Sequence, residues 1–452
     1  MYKKLRFAAR FSTALVSKYR LAILIGLLIG MLAYLLVPRI MSRLAVLRPT
    51  QKIGLVGRYT LAYMPTSITA KISLGLTVLT ESGQPGPGLA AAFSATDSGK
   101  TYIFTLDPRF HWHDGTQVKS RDIQYNFKDA TVSYPDDTHL IITVPDPFAP
   151  LPSVVAKPLL KSISFPRRYL GVGAYKISSL AREGSIIQSV TLVPADTQSN
   201  LPNLRYIFYP TQSQARTALK LGLLSAVVDL TDPGELSDWP NFTINSQIHT
   251  DRYVAVFFNT EDSLLSGPNG KNLRLALSYA IDKSRFDPDI RATGPIPANS
   301  WAYNPDIKTY PRDLPRAKQL LGDADGADLE INLSAVPAYL ATAEAVKKDW
   351  EELGVTVHLQ VTPDLPESFQ ALIVAQAIPP DPDQYNFWHS TQKRTNLTKL
   401  NNPRIDKLLE DGRKTIDLDA RQTIYQDFQR FLLEEAPAVF LFHPQSYTIT
   451  RK

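Results

Sequence analysis

Two stretches of the chain repeat one order of apolar and polar positions. Residues 204–209 read as a strand, Thr211 is placed to cap a helix over 212–221, Gly222 ends it, and 223–230 is a second apolar strand. The same order returns as a strand over 329–336, a helix over 338–353 ended by Gly354, and a strand over 355–361. Along that helix Leu340, Ala343, Val346, Trp350 and Leu353 recur at helical spacing, an apolar stripe suited to lie on a sheet. Strand, helix and strand with short links predict parallel pairing through a right-handed crossover, so the chain holds at least two α/β lobes. Between them, 254–259 reads as a strand, and Leu273, Ala276, Leu277, Ala280 and Ile281 share one helix face. Ser120 is placed to cap a short helix over 121–129, with Ile123 and Phe127 four apart on its apolar side. Near the end, Asn402 caps a helix with Pro403 in its first turn, and Asp417 caps another through Ile424, Phe428 and Phe431. Pro437 stops it, and 439–442 is a final buried strand.

The N-terminus follows a different pattern. Leu21 to Val37 is an uncharged apolar run of 17 residues, close to the lower limit for a helix that spans a bilayer. More Lys and Arg precede it than follow it, which predicts a cytoplasmic tail over 1–20, a single-pass anchor over 21–37 and an extracytoplasmic remainder. A cleaved signal peptide is the rival reading; it asks for small residues beyond the run, and Arg43 occupies one such position before Ala45. These charges also change the meaning of the overall balance. Of 49 Lys and Arg, nine precede Gln51 and no acid does, so 40 remain against 43 Asp and Glu. The formal charge of +6 therefore belongs to the N-terminus, and nucleic-acid binding loses its main support. With no cysteine, the chain has no disulfide, no thiolate metal site, no cysteine nucleophile and no N-terminal cysteine to carry a lipid.

Candidate chemistry is sparse. Ser98-Gly99-Lys100-Thr101 looks like the end of a phosphate-binding loop, but Ser94 stands where its glycine partner belongs and 102–106 alternates like a strand instead of opening a helix. His111 and His113 would share one face of a strand, yet no third ligand is placed, so a structural role outweighs a metal clip and no cofactor is expected. Neither a Gly-x-Ser-x-Gly elbow nor a His-Glu-x-x-His motif occurs, which leaves an enzyme without a catalytic constellation. The densest polar and aromatic segment is Pro380-Asp381-Pro382-Asp383-Gln384-Tyr385-Asn386-Phe387-Trp388-His389-Ser390. Its prolines keep it from being a regular helix, and such a rigid loop suits a ligand site as well as a turn over a hydrophobic plug.

Several segments together resemble the extracellular solute-binding proteins that serve ABC importers of dipeptides, oligopeptides and nickel. They are 97–106, His113-Asp114-Gly115-Thr116 with Asp122-Ile123, 171–176, Phe258-Asn259-Thr260, 273–283 and the Asp381-Pro382-Asp383 stretch, in the family's order. The resemblance implies a two-lobed, type II periplasmic-binding-protein-like α/β fold: lobe I over 50–252, with a reduced inserted subdomain at about 66–160, lobe II over 253–438, and a return strand to lobe I in 439–452. It implies a monomeric receptor that encloses a peptide-like solute between its lobes and presents it to an ABC permease, with no covalent chemistry. Asp381 and Asp383 are then expected to meet polar or cationic groups of the ligand, or to fix the loop itself. Tyr385 and Trp388 are expected to wall the cleft, with Trp301 and Tyr303 as further candidates. Departures from the family pattern qualify the picture. Peptide-binding relatives carry an aspartate for the peptide's amino group where this chain has Ile378, and Ala174 replaces the proline of Gly-x-Gly-Pro-Tyr. The anchor would take over the tethering role of the missing lipid-bearing cysteine. An anchored sensor or scaffold of the same fold, without a transport role, is the alternative.

Overall fold

The computed structural model describes residues 48–164, 168–322 and 329–452, with isolated positions before residue 48. Among the described residues no helix is long and apolar enough to cross a membrane. The anchor expected over 21–37 lies outside them, apart from isolated positions.

Lobe I is built on a seven-stranded sheet. Its order across the sheet is Tyr175–Glu183, Ile186–Pro194, Asn203–Tyr209, Thr50–Val56, Ala226–Leu230, Gln445–Arg451 and Phe242–Ile248. The strand-helix-strand unit expected here forms, with Thr211 accepting a hydrogen bond from the Gln214 amide to cap the helix Gln212–Lys220. Its two strands do not pair with each other. Thr50–Val56 lies between them, parallel to both.

A smaller subdomain is inserted after the first helix. Four antiparallel strands, in the order Ala90–Thr96, Thr101–Leu106, His139–Thr143, Thr131–Ser133, enclose a core that runs from Leu76 to Leu170. The subdomain boundary falls later than expected, because Ile68 and Ile72 pack with Leu55 and Tyr175 in lobe I. The helix expected over 121–129 is also absent. Only the single turn Ser120–Asp122 forms, and Ile123 is already extended. Asp122 explains the stop: its carboxylate accepts from the Lys119 amide and the Trp112 indole and pairs with Lys161, so it serves tertiary contacts and not a continuing helix.

Lobe II has a five-stranded sheet in the order Thr356–Val361, Glu330–Ala335, Ala371–Ala377, Arg252–Phe258, Ala438–Phe442. Here the expected parallel pairing is direct, with Ile331 opposite Val357. Arg252–Phe258 is buried on both faces, which accounts for its unbroken apolar sequence. Val254, Val256 and Phe258 pack with Leu273, Leu277 and Trp350 on one side. Tyr253, Ala255 and Phe257 pack on the other against Tyr425 and Phe428 of the helix Leu418–Glu435.

The lobes are joined by two neighbouring antiparallel segments, 248–252 and 442–445. The segment expected to return to lobe I divides at this point: Ala438–Phe442 belongs to the lobe II sheet, and only Gln445–Arg451 enters that of lobe I. Hydrogen bonds tie the crossings together, from the His249 amide to the Pro444 carbonyl (2.9 Å) and from His443 Nδ1 to the Arg252 carbonyl (2.8 Å). A paired two-strand connection of this kind lets two rigid lobes rotate as bodies.

Candidate functional site

The loop over 379–388 follows directly from the end of the strand Ala371–Ala377, beside the crossings, where the Ile378 amide donates to the Asp251 carbonyl (2.7 Å). Pro379, Pro380 and Pro382 leave little backbone that needs hydrogen-bond partners. The two acids then fold the loop on itself. Asp381 Oδ1 accepts from the Asp383 amide (3.0 Å), and Asp383 Oδ1 accepts from the Tyr385 amide (3.1 Å), two successive Asx turns that lead into the short helix Tyr385–Trp388.

Both acids are already matched to arginines. The Arg421 guanidinium grips Asp381 in a bidentate pair (2.9 and 2.5 Å), and Ser153 Oγ of the subdomain donates to the same carboxylate (3.4 Å). Burial alone would lower the Arg421 pKa, but Asp381 outweighs it and holds the group above its usual value. Arg413 donates to Asp383 through Nε (3.0 Å) and Nη2 (2.7 Å). Burial raises the Asp383 carboxyl above its ordinary value, a shift that Arg413 opposes without reversing. The Arg413 guanidinium lies 4.0 Å from the Tyr385 ring centre and 5.5 Å from that of Phe148, across the lobe boundary. Its carbonyl also accepts from the Ala149 amide (2.8 Å), so this residue bridges lobe II and the subdomain.

Three cavities follow one another along this boundary. The first, about 270 Å³, lies by the crossings between Leu79–Gly83, Asp251 and Ile378. The second, about 460 Å³, is lined by Phe148, Ser153 and Lys157 on one side and by Asp383, Asn386 and Arg413 on the other. Leu79, Pro379 and Pro380 border both of these cavities. The third, about 600 Å³, continues outward past Tyr385 and shares Phe148, Val154 and Arg413 with the second. The result is an elongated cleft whose walls mix apolar side chains with polar and charged ones, Glu81, Asp129, Asp146 and Arg413 among them. A separate cavity of about 570 Å³ lies against the edge strand Tyr175–Glu183 and touches neither lobe II nor this loop.

The expected site residues divide. Asp381, Asp383 and Tyr385 border the cleft. Trp388 does not face it: the short helix turns its ring into lobe II, 1% exposed, against Phe257 and Phe440. Trp301 is half-buried at the lobe boundary, its amide donating to the Ser82 carbonyl (3.0 Å) and its ring edge-on to Tyr425. Tyr303 is half-buried beside it, its hydroxyl 3.3 Å from Thr293 Oγ1. Sequence reasoning missed Arg413, Arg421 and Phe148. The available signal was two acids in a short loop with no cation nearby, a charge that has to be met from elsewhere in the fold. The histidine pair has a structural explanation as well: His113 Nε2 lies 3.0 Å from the Gly173 carbonyl and its Nδ1 accepts from the Gly171 amide, so both ring nitrogens are engaged. Among the described residues no group of His, Asp and Glu is arranged to hold a metal ion.

Comparison with known proteins agrees with this architecture. Residues 84–396 match the model of the bacterial extracellular solute-binding proteins, family 5. The chain is 22% identical over 411 residues to the probable D,D-dipeptide-binding periplasmic protein DdpA of Escherichia coli, covering 78% of each chain. It is 24% identical over 285 residues to heme-binding protein A of Haemophilus influenzae, covering 53% of this chain and 51% of that protein. Among solved structures it superposes on NikZ from Campylobacter jejuni in complex with Ni(L-His), with TM-score 0.69 and 22% identity over 89% of this chain and 94% of that one. A nickel ABC transporter protein from Bacillus halodurans gives TM-score 0.75 at 16% identity, over 89% and 95%. The fold is thus the two-lobed α/β fold of periplasmic binding proteins, and the chain belongs to the family 5 extracellular solute-binding proteins.

Proposed function

We propose that this protein is a single-pass, membrane-anchored receptor outside the cytoplasm that captures a peptide-like solute and delivers it to an ABC importer. The observation that carries this reading is the elongated cleft between two lobes joined by a paired crossing. Solute filling the cleft would favour the closed arrangement of the lobes, and that state would dock on the permease. No bond is made or broken in this cycle. The apolar run at 21–37 acts as the tether, and the receptor works as a monomer.

The chemistry of the cleft narrows the ligand. A free amino terminus needs an unpaired carboxylate, and the loop does not offer one: Asp381 and Asp383 are each held by an arginine and the position three before Asp381 is Ile378, which leaves Glu81, Asp129 and Asp146 at the two ends of the cleft for such a role. Arg413 offers the opposite handle, since among the described residues its Nε and Nη2, and not its Nη1, engage protein acceptors. A carbonyl or carboxylate oxygen of the solute on Nη1, with Tyr385 and Phe148 as apolar walls, fits this arrangement. Asp381 then serves to fix the loop, and Asp383 to orient Arg413.

Native mass spectrometry of the full chain, extracted from its own membranes in mild detergent, tests the proposal. A retained small molecule that bears a carboxylate or amide and is released on unfolding is the expected result. A chain that carries nothing and shows no fluorescence response to a peptide library would contradict it. Co-isolation of a permease separates import from the anchored sensor reading.

A further inference from the structure

The end of the lobe I sheet opposite the crossings carries an exposed apolar and basic surface. Strand register assembles it: Thr50 lies opposite Asn203, Ala226 opposite Thr450, and Phe242 opposite Arg451, all at the end remote from Ile248 and Gln445. At this end Leu221 is 70% exposed, Leu223 54% and Trp239 42%. The two leucines flank Gly222, whose φ of +74° permits the tight turn between them. Arg451 donates to the Lys220 carbonyl (3.1 Å), Lys220 Nζ lies 5.6 Å from the Trp239 ring, and Lys452 Nζ donates to the Pro240 carbonyl (2.9 Å). The turn, the tryptophan and the last strand therefore form one surface.

Charge and chain direction point to its occupant. Arg48, Lys52 and Lys452 add cations along the same edge, while the nearby Glu235 is already paired with Lys220, and Asp238 and Asp196 are further acids there among the described residues. Leucine and tryptophan beside basic residues suit the boundary between lipid headgroups and acyl chains, where the aromatic ring and the cation both find partners. Residues 1–47 join the lobe here, at Arg48. Ten residues separate the apolar run from Arg48, a reach of at most about 36 Å, so an anchored lobe is held with this end near the bilayer.

We propose that this end of lobe I rests on the membrane surface, with Leu221, Leu223 and Trp239 in the headgroup layer and Arg48, Lys52 and Lys452 against anionic lipid. The inference rests on the anchor reading above, and the two fail separately. The test uses the full chain reconstituted in liposomes of phosphatidylcholine and phosphatidylglycerol, with ordinary or brominated acyl chains. Brominated lipid is expected to quench part of the tryptophan emission, and that part is expected to vanish in Trp239→Phe and to fall at least twofold in the double variant Leu221→Ser, Leu223→Ser. Trp112, Trp350 and Trp388 are each buried and serve as internal controls. Quenching that is identical in Trp239→Phe overturns the proposal, as does protection of Trp239 that appears only when a permease is reconstituted alongside, which would assign the face to a protein. Alkaline carbonate reads the anchor independently: extraction of the chain refutes the anchor whatever Trp239 reports, and retention without quenching of Trp239 refutes the resting face alone.

Discussion

The loop over 379–388 has an inward half and an outward half that differ in what holds them. Inward, Asp381 pairs with Arg421 at side-chain exposures of 8% and 6%, and Trp388 is sealed among aromatic rings. Outward, Asp383 pairs with Arg413, whose side chain is 23% exposed and borders two cavities. The residue types are the same on both sides, an acid with an arginine and an aromatic ring. Burial of the arginine separates them: a guanidinium enclosed by the protein has its donors used up, and one at a cavity wall keeps donors for a ligand. On the function proposed above, the inward half serves stability and the outward half binding.

Removing either inward anchor is expected to have the largest effect. Arg421→Ala leaves the Asp381 carboxylate buried without its partner, and Trp388→Ala opens a cavity in lobe II. Each is expected to cost about 3–5 kcal/mol, read as a lowered midpoint in urea unfolding. A loss below about 1 kcal/mol in both would break the comparison from its inward side.

Arg413→Ala tests the outward half. Asp383 is itself buried, so losing its partner is expected to lower stability by about 1–3 kcal/mol, less than in Arg421→Ala because the Arg413 side is partly solvated, while solute affinity falls tenfold or more, equivalent to about 1.4 kcal/mol. Titration calorimetry with the retained solute separates the two quantities.

The crossings side with the inward half, and pH is expected to show it. Burial holds the His443 pKa below its ordinary value, with the hydrogen bond to the Arg252 carbonyl opposing that shift. Because the unfolded chain binds the proton more readily, this contribution to stability is present above the unfolded pKa near 6.5 and is lost as pH falls below it. The slope of that loss cannot exceed about 1.4 kcal/mol per pH unit for the one proton taken up. In His443→Gln that slope shrinks but does not vanish, since burial lowers the His113 pKa as well. Unfolding midpoints measured from pH 7.5 to 5.5 in both proteins check this.

What was legible in the chain follows the same division between local and distant causes. The caps at Thr211, Asn402 and Asp417 each accept a backbone amide within three residues, so sequence alone located them. The strand-helix-strand order and the position of the loop were legible for the same reason. The insertion of Thr50–Val56 between two later strands was not, because its partners lie more than 140 residues away. Arg413 and Arg421 are 30 and 40 residues beyond the acids they meet, on two different helices, so no local pattern links them to the loop. Trp388 shows the limit from the other direction. Its place beside polar residues suggested a cleft wall, whereas one turn of helix points it into the core.

The most direct test of this division is calorimetric titration of the solute retained by the purified protein into wild type, Asp383→Asn and Trp388→Phe, with the unfolding midpoint of each recorded on the same samples. Asp383→Asn is expected to weaken binding at least tenfold with little change in midpoint, because Arg413 loses the carboxylate that orients it, and Trp388→Phe to lower the midpoint while affinity stays within about twofold of wild type. Unchanged affinity in Asp383→Asn together with a large loss in Trp388→Phe would contradict this division.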